Sequence, residues 1–117
     1  MDDKELKQRT KDFVHKCVKL TFELPKTNLG RHIASQLIRC STSVAENYRA
    51  VCLAQSKDSF IAKVSIVLEE IDESAFWLEF IIDENMPKKE MISPLLDEAN
   101  ELTSIFYASR KTARLKK

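Results

Sequence analysis

The chain has 117 residues, of which 32% are charged and 44% hydrophobic, and its formal net charge is only +1. One glycine and three prolines are too little turn chemistry for a β-sandwich or a doubly wound sheet. The length suffices for one domain, residues 1–117, with a real core, and the composition points to a few long helices joined by short loops.

The first helix is expected over about 3–23. Leu6, Phe13, Cys17, Leu20 and Leu24 recur at heptad-like gaps, while Lys7, Lys11, Lys16 and Lys19 fall between them and stay solvated. Leu24-Pro25 closes it, because proline disfavours helical geometry in the residue before it. Lys26-Thr-Asn28 offers a cap for the next helix, expected over about 29–54. Its apolar stripe is Ile33, Leu37, Cys40, Val44, Tyr48 and Val51. Gln36, Ser43 and Asn47 line up beside that stripe, and small residues at 40, 41, 43 and 45 permit close approach of a neighbour. Polar side chains so placed need partners, so this stretch reads as a register-setting packing seam in preference to a ligand site.

Ser56 is the expected cap of a third helix over about 57–84, with Asp58 in its first turn. Such a helix is roughly 42 Å long. Phe60, Val64, Val67, Ile71, Leu78 and Ile82 form its main face, widened by Ile61, Leu68, Ala75 and Phe76. A stripe that broad suits a helix with two neighbours, or one that also meets another subunit. Trp77, among Phe76, Leu78 and Phe80, reads as core or interface. Asn85-Met-Pro87 ends this helix. The fourth is expected over about 88–114, with an irregular first turn around Ser93-Pro94 and proline at a first helical position. Leu95, Ala99, Leu102, Phe106, Ser109 and Ala113 mark its inner face, and the basic tail 110–117 is expected to fray. These elements predict an all-α, up-down antiparallel four-helix bundle.

The charges are segregated. Residues 58–86 carry eight acidic and one basic group, whereas the flanking segments are net positive. Basic helices that neutralise the acidic one, within the bundle or across subunits, account for this pattern. Arg39 and Glu46 share nearly one helix face, with Arg49 turned away by about 80°. Ion pairs from these arginines to Glu69, Glu70 or Asp72 are favoured over phosphate contacts, for which Tyr48 would be a stacking neighbour. The tail residues Arg110, Lys111, Arg114, Lys116 and Lys117 are the candidate nucleic-acid contacts, through a salt-sensitive attraction to phosphates. A solvated terminus is the plainer reading.

Catalytic constellations are scarce. A single glycine, Gly30, excludes a Gly-rich phosphate loop. Only His15 and His32 are available to serve Ser41, Ser43 or Ser59, which makes a triad improbable. A carboxylate-bridged di-metal site needs Glu-x-x-His on two helices, and the chain offers one Asp12-x-x-His15 beside Glu69, Glu70, Asp72 and Glu73. No enzymatic activity, metal or cofactor is expected. No apolar run approaches the ~20 residues that span a bilayer. The charged start Met1-Asp-Asp-Lys-Glu predicts no signal peptide. Cys17, Cys40 and Cys52 lack a paired framework, and Cys40 and Cys52 on one helix lie roughly 18 Å apart. A cytoplasmic location and no membrane partner are expected.

The segment Gln36-Leu-x-Arg39-x-Ser41-Thr-Ser43-Val-Ala-x-Asn47-Tyr-Arg49-Ala50 carries a family resemblance. So do Ser56-Lys-x-x-Phe60-Ile-Ala-Lys63 and Val67-Leu-Glu-Glu-x-Asp72-Glu73-Ser-x-x-Trp77-Leu-Glu79. Together they resemble the bacterial "four helix bundle protein" family, whose founding members are encoded by intervening sequences in 23S ribosomal RNA genes. The likeness is dense from Arg31 to Ile82 and extends to Leu24-Pro25 and the last helix. Glu46, where many members have a small residue, and Asn47-Tyr-Arg-Ala-Val51 place the chain in the Asn-Tyr-Arg-Ala branch. The resemblance implies a homo-oligomer, expected as a pentameric barrel. It also implies similarity to accessory proteins of diversity-generating retroelements, which bind nucleic acid through basic barrel surfaces. On the family pattern Gln36, Arg39, Ser43, Asn47, Arg49, Lys63, Glu70 and Asp72 look like bundle or subunit-contact determinants. The expected function is a non-enzymatic oligomeric scaffold, with RNA or DNA as candidate ligands. The alternatives are a protein-interaction module without nucleic-acid binding and, remotely, the di-metal enzyme.

Overall fold

Four helices hold nearly all the residues that the computed structural model describes, 1–86 and 89–116. They are α1 (Asp3–Thr21), α2 (Asn28–Cys52), α3 (Lys57–Asp83) and α4 (Lys89–Leu115). Side-chain oxygens start the first three. Asp2 accepts from the Glu5 amide at 2.9 Å, Thr27 from the Gly30 amide at 3.0 Å and Ser56 from the Ser59 amide at 3.0 Å. Each satisfies one of the donors that a helix start leaves unpaired.

The ends differ in mechanism. α1 stops two residues before the expected Glu23, because the amides of Phe22, Glu23 and Leu24 tighten onto carbonyls three residues back. α2 likewise closes at Cys52, short of Ala54, with Leu53 bonded to Ala50 and Ala54 to Val51. α3 ends in a Schellman motif: Asn85 takes φ 53°, its amide bonds to Ile82 O, and the Met86 amide reaches back to Ile81 O at 3.2 Å. Asparagine tolerates that left-handed geometry better than most residues, and it does so where the sequence placed the stop. Pro87, Lys88 and Lys117, on which a helix end, a helix start and a phosphate contact were expected, lie outside the described residues.

Two expectations about α4 do not hold. Pro94 is not a first helical position after an irregular turn; it sits inside a helix that already runs from Lys89. Starting early lets Ile92 reach 0% exposure and packs Met91 against the core, and the exposed proline removes a single backbone donor. The tail, expected to fray, is helical as far as Leu115. Lys57 Nζ donates to the Lys116 carbonyl, a cation at the negative end of the helix dipole. Arg110 reaches Ser65 Oγ at 3.0 Å, and its guanidinium lies 4.8 Å from the centre of the Tyr107 ring.

Each helix packs against the next in sequence, and α4 returns to α1 as the thinnest of the four seams. Among the described residues the backbones of α1 and α3, like those of α2 and α4, stand apart across the diagonal, where core side chains such as Tyr48 and Phe106 meet with ring centres 5.1 Å apart. The result is an all-α bundle with extents of 50 × 21 × 20 Å. The stripes expected for α1 and α2 are buried throughout, from Leu6 to Leu24 and from Ile33 to Val51. On α3 the expected main face is buried at Val64, Val67, Ile71 and Leu78, but it widens toward different residues than expected. Ile81 and Ser74 are fully buried, whereas Phe76 is 52% exposed. Two flanking helices cover only the part of the broad apolar stripe that faces them.

Candidate functional site

The polar residues of the Gln36–Ala50 stretch separate into groups once the helices are packed. Arg39 crosses to α3, where it pairs with Glu73 and lies 3.5 Å from Glu70 Oε2; its Nε and Nη2 also hold Gln36 Oε1 at 3.1 and 3.0 Å. Glu73 is in turn held by Trp77 Nε1 at 3.3 Å. Glu70 Oε2 is buried and, although within ion-pair reach of Arg39, has no aligned hydrogen bond. Burial pushes the Glu70 carboxyl above the usual carboxylate range, with Glu73 adding to the shift and Arg39 and Ser43 opposing it. One rung below, the buried Ser74 hydroxyl bonds to Cys40 Sγ at 3.2 Å and Glu70 O at 2.8 Å.

The α2 amides do not bridge the helices as a register device requires. Asn47 Nδ2 donates to Ser43 O and Oγ, at 2.9 and 2.8 Å, so the amide folds onto its own helix, while the Ser43 hydroxyl also faces Glu70 of α3. Register between α2 and α3 therefore rests on Arg39 with its two glutamates, on Ser43 beside Glu70 and on the Ser74–Cys40 contact. Asp72 and Glu69 are exposed, and Lys63, half-buried, has no carboxylate partner among the described residues. The α2 thiols and that of α1 remain free. Burial, with a smaller contribution from Cys40, pushes the Cys17 thiol up to about 12, and burial also raises Cys40. At neutral pH both are protonated core side chains.

Arg49 faces away from α3 altogether, contrary to the expectation of an ion pair there. The ~80° between it and Arg39 directs it to α1, where it lines a groove with Lys4, Lys7, Gln8 and Lys11. A second groove, between Lys11, Ala45, Glu46 and Arg49, adjoins the first. Lysines at spacings of three and four were legible in the sequence as one face of α1. Their meeting with Arg49 was not, because it depends on which flank of α2 receives α1. Also unforeseen was the tie across the thin α1–α4 seam. Arg9 forks onto Glu98 through Nε at 3.0 Å and Nη2 at 2.5 Å, with Glu101 at 3.2 Å.

The α2–α3 edge carries an aromatic cluster. Phe76, Trp77 and Phe80 have ring centres 5.0–6.0 Å apart, and His32 meets Trp77 edge-on at 5.6 Å. Phe76 and, earlier on α3, Ile66 (41% exposed) face solvent. Among the tail residues Arg110 is committed to Ser65 and Tyr107, whereas Lys111, Arg114 and Lys116 are exposed. Among the described residues no three His, Cys, Asp or Glu side chains converge as a metal site, and no helix is long and apolar enough to cross a membrane.

Residues 2–108 match the family described as 23S rRNA-intervening sequence protein. No curated protein matches the chain. Among solved structures it is similar to the crystal structure of a protein with unknown function from the S23 ribosomal protein family of Bacteroides thetaiotaomicron VPI-5482. The two share 27% identity over 90% of this chain and 97% of that one, with a TM-score of 0.82.

Proposed function

The chain belongs to the 23S rRNA-intervening sequence protein family, and from that premise we propose a non-enzymatic helical scaffold built from several copies of itself that binds RNA or DNA on basic outer surfaces. The observation that carries the assembly half is the aromatic edge of α3. Phe76 remains 52% exposed beside Trp77 and Phe80, and Ile66, about 15 Å back along the same helix, is 41% exposed. Clustered exposed aromatics favour an interface over free surface. An edge that meets a different face of the next copy generates a ring where the rotation between copies closes, the arrangement of the pentameric barrel that the family resemblance implies. The basic side chains available to a nucleic acid include the exposed Lys111, Arg114 and Lys116.

Light scattering at micromolar concentration tests the assembly. The wild type is expected as an oligomer, and Phe76→Ser with Ile66→Ser, both exposed in the single chain, is expected to dissociate it. A monomeric wild type would overturn the assembly half. Gel shifts of RNA and DNA across a salt series test the other half. Absence of any shift at low salt, or binding indifferent to salt, would remove it.

A further inference from the structure

We infer that the groove between the start of α1 and the end of α2, walled by Lys4, Lys7, Lys11 and Arg49, is the principal contact for a nucleic-acid phosphate backbone. This assignment rests on the nucleic-acid half of the reading above and names the surface that serves it.

Elsewhere on the bundle, the exposed tail residue Arg114 apart, the arginines are already engaged. Arg9 is forked onto Glu98, Arg39 onto Glu73, Arg31 onto Lys26 O and Asn28, and Arg110 onto Ser65. In the groove, by contrast, Lys4, Lys7, Lys11 and Arg49 have no carboxylate partner among the described residues. Of the acidic side chains near them in sequence, Asp3 is held by Tyr48 at 3.2 Å, while Asp12 accepts from the groove residue Gln8 at 2.8 Å and brings one carboxylate to the groove's edge. Glu46 walls the adjoining groove, so four cations meet two carboxylates, Asp12 and Glu46, and the balance stays positive.

Helix stability does not explain these cations. Lys4 and Lys7 lie in the first two turns of α1, where the helix dipole opposes positive charge. The spacing is suited to a polyanion. Lys4 to Lys11 rises roughly 10 Å along α1, a length over which a duplex presents about six phosphates. The groove is also open, with a volume of about 400 Å3, and its walls come from two different helices. Point cations along a groove, with Gln8 as the one neutral hydrogen-bonding side chain, suit recognition of a backbone in preference to base edges. The groove and the aromatic edge flank α2 on opposite sides, so a ligand in the one leaves the other free for a second copy.

Two variants that remove equal charge provide the test. The first is Lys4→Gln/Lys7→Gln/Lys11→Gln and the second Lys111→Gln/Arg114→Gln/Lys116→Gln. Both alter exposed side chains, and light scattering and thermal melts confirm that each folds and assembles as the wild type does. Fluorescence anisotropy with labelled single-stranded and duplex RNA and DNA is then followed across 50–200 mM salt. On duplexes the groove variant is expected to flatten the log K against log salt slope by about 2.7 for each subunit engaged, and to lose more than tenfold in affinity at 50 mM. Arg49→Gln is expected to flatten the slope by about 0.9, because the groove spans both helices. The tail variant is expected to keep most of the wild-type slope.

Equal or greater loss in the tail variant overturns the assignment while leaving the nucleic-acid reading intact. A groove variant that falls apart into smaller species also overturns it, because the lysines would then hold a neighbouring copy. If the groove variant loses binding to anionic lipid vesicles while its nucleic-acid binding is unchanged, the partner is wrong. A wild type that binds neither RNA nor DNA ends both the inference and the reading on which it rests.

Discussion

Gly30→Ala should destabilise the protein even though helix propensity alone predicts the opposite. Gly30 is the third residue of α2 and has no positive φ, so its backbone conformation would suit any residue. Replacing glycine by alanine in such a helix gains about 1 kcal/mol. The obstacle is the loop from α1. A Cβ at position 30 would lie 1.9 Å from the Pro25 carbonyl oxygen and 3.0 Å from its carbon, with Thr27 Oγ1 at 3.3 Å. Relief requires the oxygen to retreat by about 1 Å. It is backbone, held by a proline ring on one side and followed by the Thr27 cap, and Leu24 beside it is buried in the core. Overpacking of this kind costs about 1–3 kcal/mol, and a backbone obstacle puts it at the upper end. The net expectation is a loss of about 2 kcal/mol, or about 8 °C in Tm for a chain this size. Thermal and urea melts at fixed protein concentration read it, with Ser35→Ala on the exposed face of the same helix as a neutral-to-stabilising control. A Gly30→Ala protein that melts at or above the wild type would refute the close-approach argument.

Ile71→Ala removes a fully buried side chain at the centre of α3 and is expected to cost about 2–5 kcal/mol in a urea melt. A loss below 1 kcal/mol would mean that the bundle centre collapses around the cavity. Glu70 sets a pH dependence. Its folded carboxyl is raised above the unperturbed ~4.3, so the folded state holds the proton more tightly. That contribution is fully present below the unfolded value and is lost as pH rises through the folded one. Relative to Glu70→Gln, the wild type should therefore lose stability as pH climbs from about 3.5 toward neutrality; a flat or rising difference would contradict it. Arg9→Lys keeps the charge but breaks the two-point fork onto Glu98. A double-mutant cycle with Glu98→Gln is expected to give a coupling of about 0.5–1 kcal/mol at low salt, reduced at high salt; zero coupling at low salt would make the α1–α4 tie cosmetic.

The chain's pattern of apolar residues, caps and breakers made the helices legible. Periodicity is a local property, and Leu6 to Leu24 and Ile33 to Val51 are buried as their spacing demands. Ser56 caps where a serine before an amphipathic run should, and Asn85 stops α3 through its own tolerance of positive φ. The family was legible too, since the Gln36–Ala50 motif and its continuations are sequence facts that the match over 2–108 bears out. What sequence left undecided is how each helix turns about its axis once neighbours press on it. Packing buried Ile81 and even the polar Ser74 beside the expected face and left the apolar Phe76 in solvent, a choice that the one-dimensional pattern does not contain. Pro94 was absorbed into α4 because burying Ile92 outweighed one lost donor, a balance that appears only when the core is present.

The same reason separates the two arginines of the motif. Sequence fixes an angle of about 80° between Arg39 and Arg49 but not which helix stands on either side. Packing gave Arg39 the glutamates of α3 and gave Arg49 the lysines of α1, so one arginine is neutralised and the other joins a cluster of like charge. Local spacing determined what each helix could present, whereas the antiparallel return of α1 beside α2 decided what those charges would meet.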